Sequence, residues 1–263
     1  MKKTNLILPL FVLIALSSCG KQGLTSEQKT TISDALAFID SSSFSFHDET
    51  RSSMTTAYSR TGGTNDIRFE NRVIYDREKN YAASFDIDSK GILTSIFSFL
   101  YLDDGGSYIS LSLPTEGTLK KTVTKKDNLT AAIASLKKDW IEGAANTYIA
   151  CLRALLDSSK ESYFSYLDQH SVSDFASGSK AGAFSFKMNW KRNNLDSSGY
   201  GSRFTGSELV SFENYLPVSS VNTGTGEWIT ATTRESLTND YTLKFFWGEA
   251  TPFYPDFSAY NVA

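Results

Sequence analysis

Apolar residues along the chain repeat first at helical and then at strand spacing. From Ser26, the positions Ile32, Ala35, Leu36 and Ile39 recur near 3.6 residues while Gln28 and Lys29 stay polar, which predicts an N-capped amphipathic helix ending near Asp40. The period then falls to two. Phe44 and Phe46 open an alternating stretch, Gly62-Gly63 marks a turn, and Ile67, Phe69, Val73 and Tyr75 share one parity against Arg68, Glu70 and Arg72. Such alternation predicts a strand with one wet face. After a polar turn at 76–80, Tyr81, Ala83, Phe85 and Ile87 alternate with Ala82, Ser84, Asp86 and Asp88. Strands over 95–102 and 107–113 follow, joined at Asp103-Asp104-Gly105-Gly106, a hairpin turn because glycine accepts positive φ. The first of the two is apolar on both parities, so both of its faces must be covered.

Helical spacing returns at Leu129, Ile133, Leu136, Trp140, Ile141, Tyr148, Leu152 and Leu155, with a break expected around Gly143. Alternation then resumes. Phe184, Phe186, Met188 and Trp190 oppose Ser185, Lys187, Asn189 and Lys191, and further strands are expected over 208–212, 227–234 and 240–247. Ser171 to Gly182 reads as a serine-rich loop. Runs of strands joined by short turns, with helices between them, predict an α+β fold: a curved antiparallel meander with helices packed on one face.

The amino terminus adds a compartment. Met1-Lys2-Lys3 is positive, Leu6 to Leu16 is an apolar stretch broken only by Pro9, and Ser17-Ser18 are small, the three-part layout of a secretory signal peptide. That apolar run is about half of the roughly 20 residues that cross a bilayer as a helix. Leu16-Ser17-Ser18-Cys19 resembles the lipobox of bacterial lipoproteins. The resemblance implies cleavage before Cys19 and acylation of that cysteine, with 1–18 a signal peptide, 19–25 a lipidated tether and 26–263 a single envelope domain. Two or more acyl chains make such an anchor stable. The expected location is a cell membrane or an outer membrane, on the extracytoplasmic side. Cys151 then has no disulfide partner, and its place beside Leu152 and Leu155 suits a small buried hydrophobe.

Composition narrows the function. Beyond residue 18 the chain has 24 basic and 29 acidic residues, a net charge of about −5, which disfavours nucleic acid as a partner. Two histidines, His47 and His170, with Cys151 make a Cys/His metal site a poor reading. No cofactor is expected. Asp86-Ile87-Asp88-Ser89-Lys90-Gly91 begins like a calcium loop, but Lys90 occupies a ligand position and Phe97 stands where the bidentate glutamate belongs. A turn with Gly91 at positive φ explains it better. Ser135-Leu136-Lys137-Lys138 matches Ser-x-x-Lys without its usual companions, and no Gly-x-Ser-x-Gly elbow or phosphate-binding glycine loop occurs. Asp103-Asp104 reads as a solubilising turn. The sequence carries no catalytic signature.

The order of helix, aromatic-rich meander, helices and second meander, behind a lipobox, resembles the LolA/LolB and LppX/LprG group of bacterial envelope proteins. That resemblance covers most of 26–250 and implies an open half-barrel around helices, enclosing an acyl-binding cavity. The tail from Pro252 to Tyr260 has no counterpart in it. If the strands pair as read, Phe69, Tyr81, Phe85, Phe184, Phe186, Trp190, Phe245 and Trp247 share the buried side of the sheet. They form either an ordinary core or the walls of a cavity for a lipid or acyl chain. The leading expectation is therefore a non-catalytic, lipid-anchored protein that binds or carries a hydrophobic ligand. The alternative is a surface interaction lipoprotein, an adhesin or accessory subunit, with a solid core.

Overall fold

A computed structural model of the chain describes residues 24–41, 49–63, 66–102, 108–112, 118–124, 129–157, 167–254 and 261–262. The leader, Cys19, Phe44, Phe46, His47 and the 103–106 turn lie outside the described residues. The elements run α1 (Ser26–Ile39), β1 (Arg51–Gly62), β2 (Ile67–Asp76), β3 (Tyr81–Ile87), β4 (Leu93–Leu102), β5 (Tyr108–Ser112) and β6 (Thr118–Thr124). Then come α2 (Leu129–Leu136), a π-helical stretch Lys137–Glu142 and α3 (Gly143–Leu156). The second meander comprises β7 (Gln169–Ser177), β8 (Phe184–Leu195), β9 (Gly201–Glu213), β10 (Leu216–Ile229) and β11 (Arg234–Trp247), and a short β12 (Asn261–Val262) ends the chain.

The twelve strands among the described residues form one sheet, in the order β12-β6-β5-β4-β3-β2-β1-β11-β10-β9-β8-β7. Neighbours are antiparallel except β12, which lies parallel to β6. The sheet is open, because β12 and β7 stand at opposite ends of that order. Its two meanders join where β1 pairs β11, from Ser52↔Trp247 to Gly62↔Leu237.

Local chemistry explains the element ends. Thr25 caps α1: its side chain accepts from Gln28 N at 3.2 Å, and the Gln28 side chain accepts from Thr25 N at 2.9 Å. This capping box shifts the cap one residue before Ser26. Gly91 does take positive φ, +79°, in a turn held by Asp88, whose carboxylate accepts from Lys90 N and Ile92 N at 2.8 Å each. The helical break falls at the six π-helical residues ending just before Gly143.

Two expectations need correction, and one strand was not expected. Residues 227–234 are not one strand, because Thr230 and Thr233 close a turn between β10 and β11. Part of the serine-rich loop is strand β7, whose small polar residues pair with β8 at the sheet's edge. Strand β6, Thr118–Thr124, has too little alternation of apolar and polar residues to be read from sequence.

Helices cover one face. Ile32 of α1, Ile133 and Leu136 of α2, and Cys151 and Leu152 of α3 share a buried cluster with Met54, Val73, Phe186, Val210, Phe212 and Phe245. Arg153 of α3 forks onto Asp40 at the end of α1, at 3.0 and 2.6 Å, which ties the two helices together. The opposite face of β2, β3 and β4 holds a second cluster, in which Tyr81, Phe85, Ile96 and Phe99 lie under Ala250 and Phe253. Leu100 belongs to the first cluster and Phe99 to the second, so β4 is covered on both sides, as its double apolar parity predicts.

Candidate functional site

Antiparallel register lays equivalent positions of β8, β9, β10, β11 and β1 side by side. Trp190 stands opposite Gly206, Gly206 opposite Gly224, Gly224 opposite Asn239, and Asn239 opposite Arg60. On one side of that row the helices cover the sheet, and Phe184, Phe186, Met188, Val210 and Phe212 are buried. On the other side Arg192, Asn194 and Trp228 are exposed and Phe204 is half-buried; Trp190 and Asn239 in the row, and Tyr241 one rank toward the helices, are also half-buried. The helix-bearing face is therefore covered over only part of its length.

The uncovered part is a basin of about 690 Å³. Its rings are Tyr58, Trp190, Phe204, Trp228 and Tyr241, with Leu167 beside them. Its polar groups are Arg192, Asn194, Ser202, Glu208, Asn222 and Asn239. Glycine makes the floor possible. A Cβ at Gly206 would fall 2.5 Å from Cζ2 of Trp190, and one at Gly224 would fall 3.0 Å from its Cη2. The indole therefore lies across bare backbone where side chains would lift it away. Its Nε1 is buried without a hydrogen-bond partner.

At the boundary between basin and helices, three hydroxyls converge on one oxygen of buried Glu208. Ser220 donates at 2.5 Å, Tyr241 at 2.9 Å and Tyr148 of α3 at 3.1 Å. Burial, reinforced by the Glu208 charge, pushes the Tyr148 and Tyr241 hydroxyls well above the usual tyrosine range. The same two causes push the Cys151 thiol up, so it is an inert core group. Elsewhere on the rim Tyr58 donates to Asn239 at 3.2 Å. With the Asn194 amide turned to its better orientation, its oxygen accepts from Arg192 Nε at 3.0 Å and from a terminal guanidinium nitrogen at 2.7 Å.

The eight rings expected to share one wall are divided among four places. Trp190 alone lines the basin. Phe184, Phe186, Phe245 and Trp247 pack under the helices, where Phe184 stacks on Phe212 at 4.6 Å and Phe245 on Trp247 at 5.5 Å. Tyr81 and Phe85 lie on the opposite face. The reason is register: the turn after β2 sets Asp76 against Tyr81 and Tyr75 against Ala82, so Tyr81 shares a face with Ile74 instead of Tyr75. Phe69 is on the helix-bearing side, 5.1 Å from the Tyr58 ring, and borders a separate depression of about 510 Å³ whose other walls include Arg68, Glu70, Asp88 and Asp240.

Basin residues that sequence reasoning missed are Tyr58, Phe204, Trp228 and Tyr241. One signal was present: Gly206, Gly224 and Gly226 fall among strand-forming residues, and strand glycines mark close approach. His170 pairs with Trp190 across β7 and β8. Ser135 donates to Asp139 at 2.9 Å on the exposed side of α2, a surface bond rather than a nucleophile's geometry. Among the described residues no three His, Cys, Asp or Glu side chains group closely enough to hold a metal ion, and no helix is long and apolar enough to cross a membrane.

No family model and no curated protein matches the chain. Among solved structures, a DUF1329 family protein from Desulfovibrio piger is similar at 8% identity and a TM-score of 0.23, over 88% of this chain and 98% of that one. A likeness that slight carries no argument about fold or function.

Proposed function

We propose that the chain is a lipid-anchored, non-catalytic binding protein of the bacterial cell envelope, held to a membrane through Cys19, with its ligand in the basin. In this reading the open sheet serves as the half-barrel expected from the LolA/LolB resemblance. The basin carries the proposal: about 690 Å³ walled by five rings is within the range of small-molecule sites, roughly 300–1,000 Å³. The space beneath the helices is filled by Phe184, Phe186, Phe212 and Phe245, so a ligand lies beyond the helices, not under them. Six polar side chains line the same basin, which favours a ligand with both apolar surface and hydrogen-bonding groups over a bare acyl chain.

Native mass spectrometry of the full chain purified from an envelope should show a bound small molecule, lost in Trp228→Ala. A protein with no adduct, or an adduct that Trp228→Ala retains, contradicts the proposal. For the anchor, mass spectrometry of the mature chain should find an acylated amino terminus at Cys19. An unmodified Met1 terminus contradicts it.

One observation favours the second reading, a surface interaction protein. Leu209 and Val221 are paired neighbours on the face away from the helices, 41% and 43% exposed. Under that reading, Leu209→Ser with Val221→Ser abolishes partner binding and leaves basin ligands untouched.

A further inference from the structure

We infer that the basin's ligand is a neutral saccharide, an inference that rests on the basin being the ligand site. The wall residues divide by what they can offer. Tyr58, Trp190, Phe204, Trp228 and Tyr241 line it with aromatic rings, and the Trp190 indole lies across Gly206 and Gly224, the kind of flat apolar surface that takes the carbon-bound hydrogens of a sugar ring. Asn194, Asn222 and Asn239 are amides, each carrying donors and an acceptor, and Ser202 adds a hydroxyl. A sugar hydroxyl is itself both donor and acceptor, so it can accept from the amide N–H groups and exchange a bond with the hydroxyl, while the Asn194 and Asn239 oxygens already accept from Arg192 and Tyr58. An acyl chain would strip water from the same amides and return no hydrogen bond.

Charge points the same way. The basin's one cationic and one anionic side chain are Arg192 and Glu208, so its lining sums to no net charge that would select an anionic or a cationic headgroup. Arg192 is already engaged by the Asn194 oxygen, and Glu208 by three hydroxyls. Both groups therefore already hold hydrogen-bond partners within the protein. Trp228 is 49% exposed at the mouth, where a second sugar unit could extend along its face.

The test is titration of the full chain, in detergent, with maltotetraose, chitotetraose and cellotetraose, and in parallel with palmitate and lysophosphatidylcholine. Calorimetry and tryptophan fluorescence report binding, since two of the four tryptophans line the basin. The expected result is saturable binding of a tetrasaccharide, weakened about tenfold or more by Trp228→Ala at unchanged thermal midpoint. Raising the salt from about 50 mM to about 500 mM should leave that affinity within about twofold, because a neutral ligand makes no ion pair to be screened. Binding of palmitate or lysolipid alone, abolished by Trp228→Ala, overturns the saccharide and leaves the basin as the site. A tetrasaccharide whose affinity survives Trp228→Ala overturns it too. No binding by any probe at millimolar concentration overturns both readings.

Discussion

Glu208 is the residue on which the boundary of the basin turns. Its carboxylate satisfies hydroxyls from α3, β10 and β11 at once, and hydrogen bonds to a charged acceptor are stronger than neutral ones. Glu208→Ala leaves three buried hydroxyls without their acceptor and should destabilise by roughly 2–4 kcal/mol in urea unfolding. Glu208→Gln, which keeps an acceptor oxygen, should lose less. The same buried groups set an alkaline limit. Tyr81, Tyr148, Tyr241 and Cys151 all titrate higher in the fold than their ordinary values of 10.0 and 9.0, chiefly through burial. Unfolded, they release protons that the fold retains, so stability is complete below those values and falls as pH rises through them. The urea midpoint should drop between about pH 9 and about pH 11, and Tyr148→Phe should flatten that drop. At this scale the sequence was only partly legible. Cys151 is a buried hydrophobe, as its helical neighbours suggest, but nothing near Glu208 in the chain foretells that its partners lie 12, 33 and 60 residues away.

At the level of elements, two devices hold the helices and the tail in place. The π-helical stretch turns Lys137 and Glu142 inward, 3% and 5% exposed, with Nζ 3.4 Å from the carboxylate. Lys137 also donates to Glu49 O at 3.0 Å and sits 5.1 Å over the Tyr75 ring. Removing one partner alone, as in Glu142→Leu, should cost roughly 3–5 kcal/mol by chemical denaturation, whereas Lys137→Met with Glu142→Leu should cost far less. The tail is the second device. Tyr81 donates to Phe253 O at 2.6 Å and accepts from Phe253 N at 3.2 Å, and Phe253 stacks on Phe85 at 4.9 Å. Deleting residues 249–263 should expose Phe85 and Phe99 and raise binding of a hydrophobic dye; unchanged dye binding would contradict the strap's role. Periodicity located α1, β2, β3 and the break before Gly143 because each carries its own apolar stripe. It missed β7 and the β10 to β11 turn, since a polar edge strand and a threonine-rich turn look alike along the chain.

Over the whole molecule, the class of fold was legible: strands in two meanders, helices between them, and an open antiparallel sheet result from alternation and turn spacing alone. The arrangement of the meanders was not. The pairing of β1 with β11 joins residues some 190 positions apart, as in Ser52↔Trp247, and it decides which aromatics meet. That pairing brings Tyr58 beside Tyr241 and so builds a basin from residues no local pattern connects. The register of β3 on β2 in turn puts Tyr81 and Phe85 on the face opposite Phe184 and Phe186. The central claim is that ligand occupies this basin, and two exposed tryptophans allow a direct comparison. Trp228 in the basin is 49% exposed, and Trp140 in the π-helical stretch is 40% exposed. In hydroxyl-radical footprinting of the protein with its co-purified ligand and after stripping, Trp228 should be protected by ligand while Trp140 oxidises at the same rate in both. Equal oxidation of Trp228 in the two samples, or protection at Trp140 instead, would contradict the account.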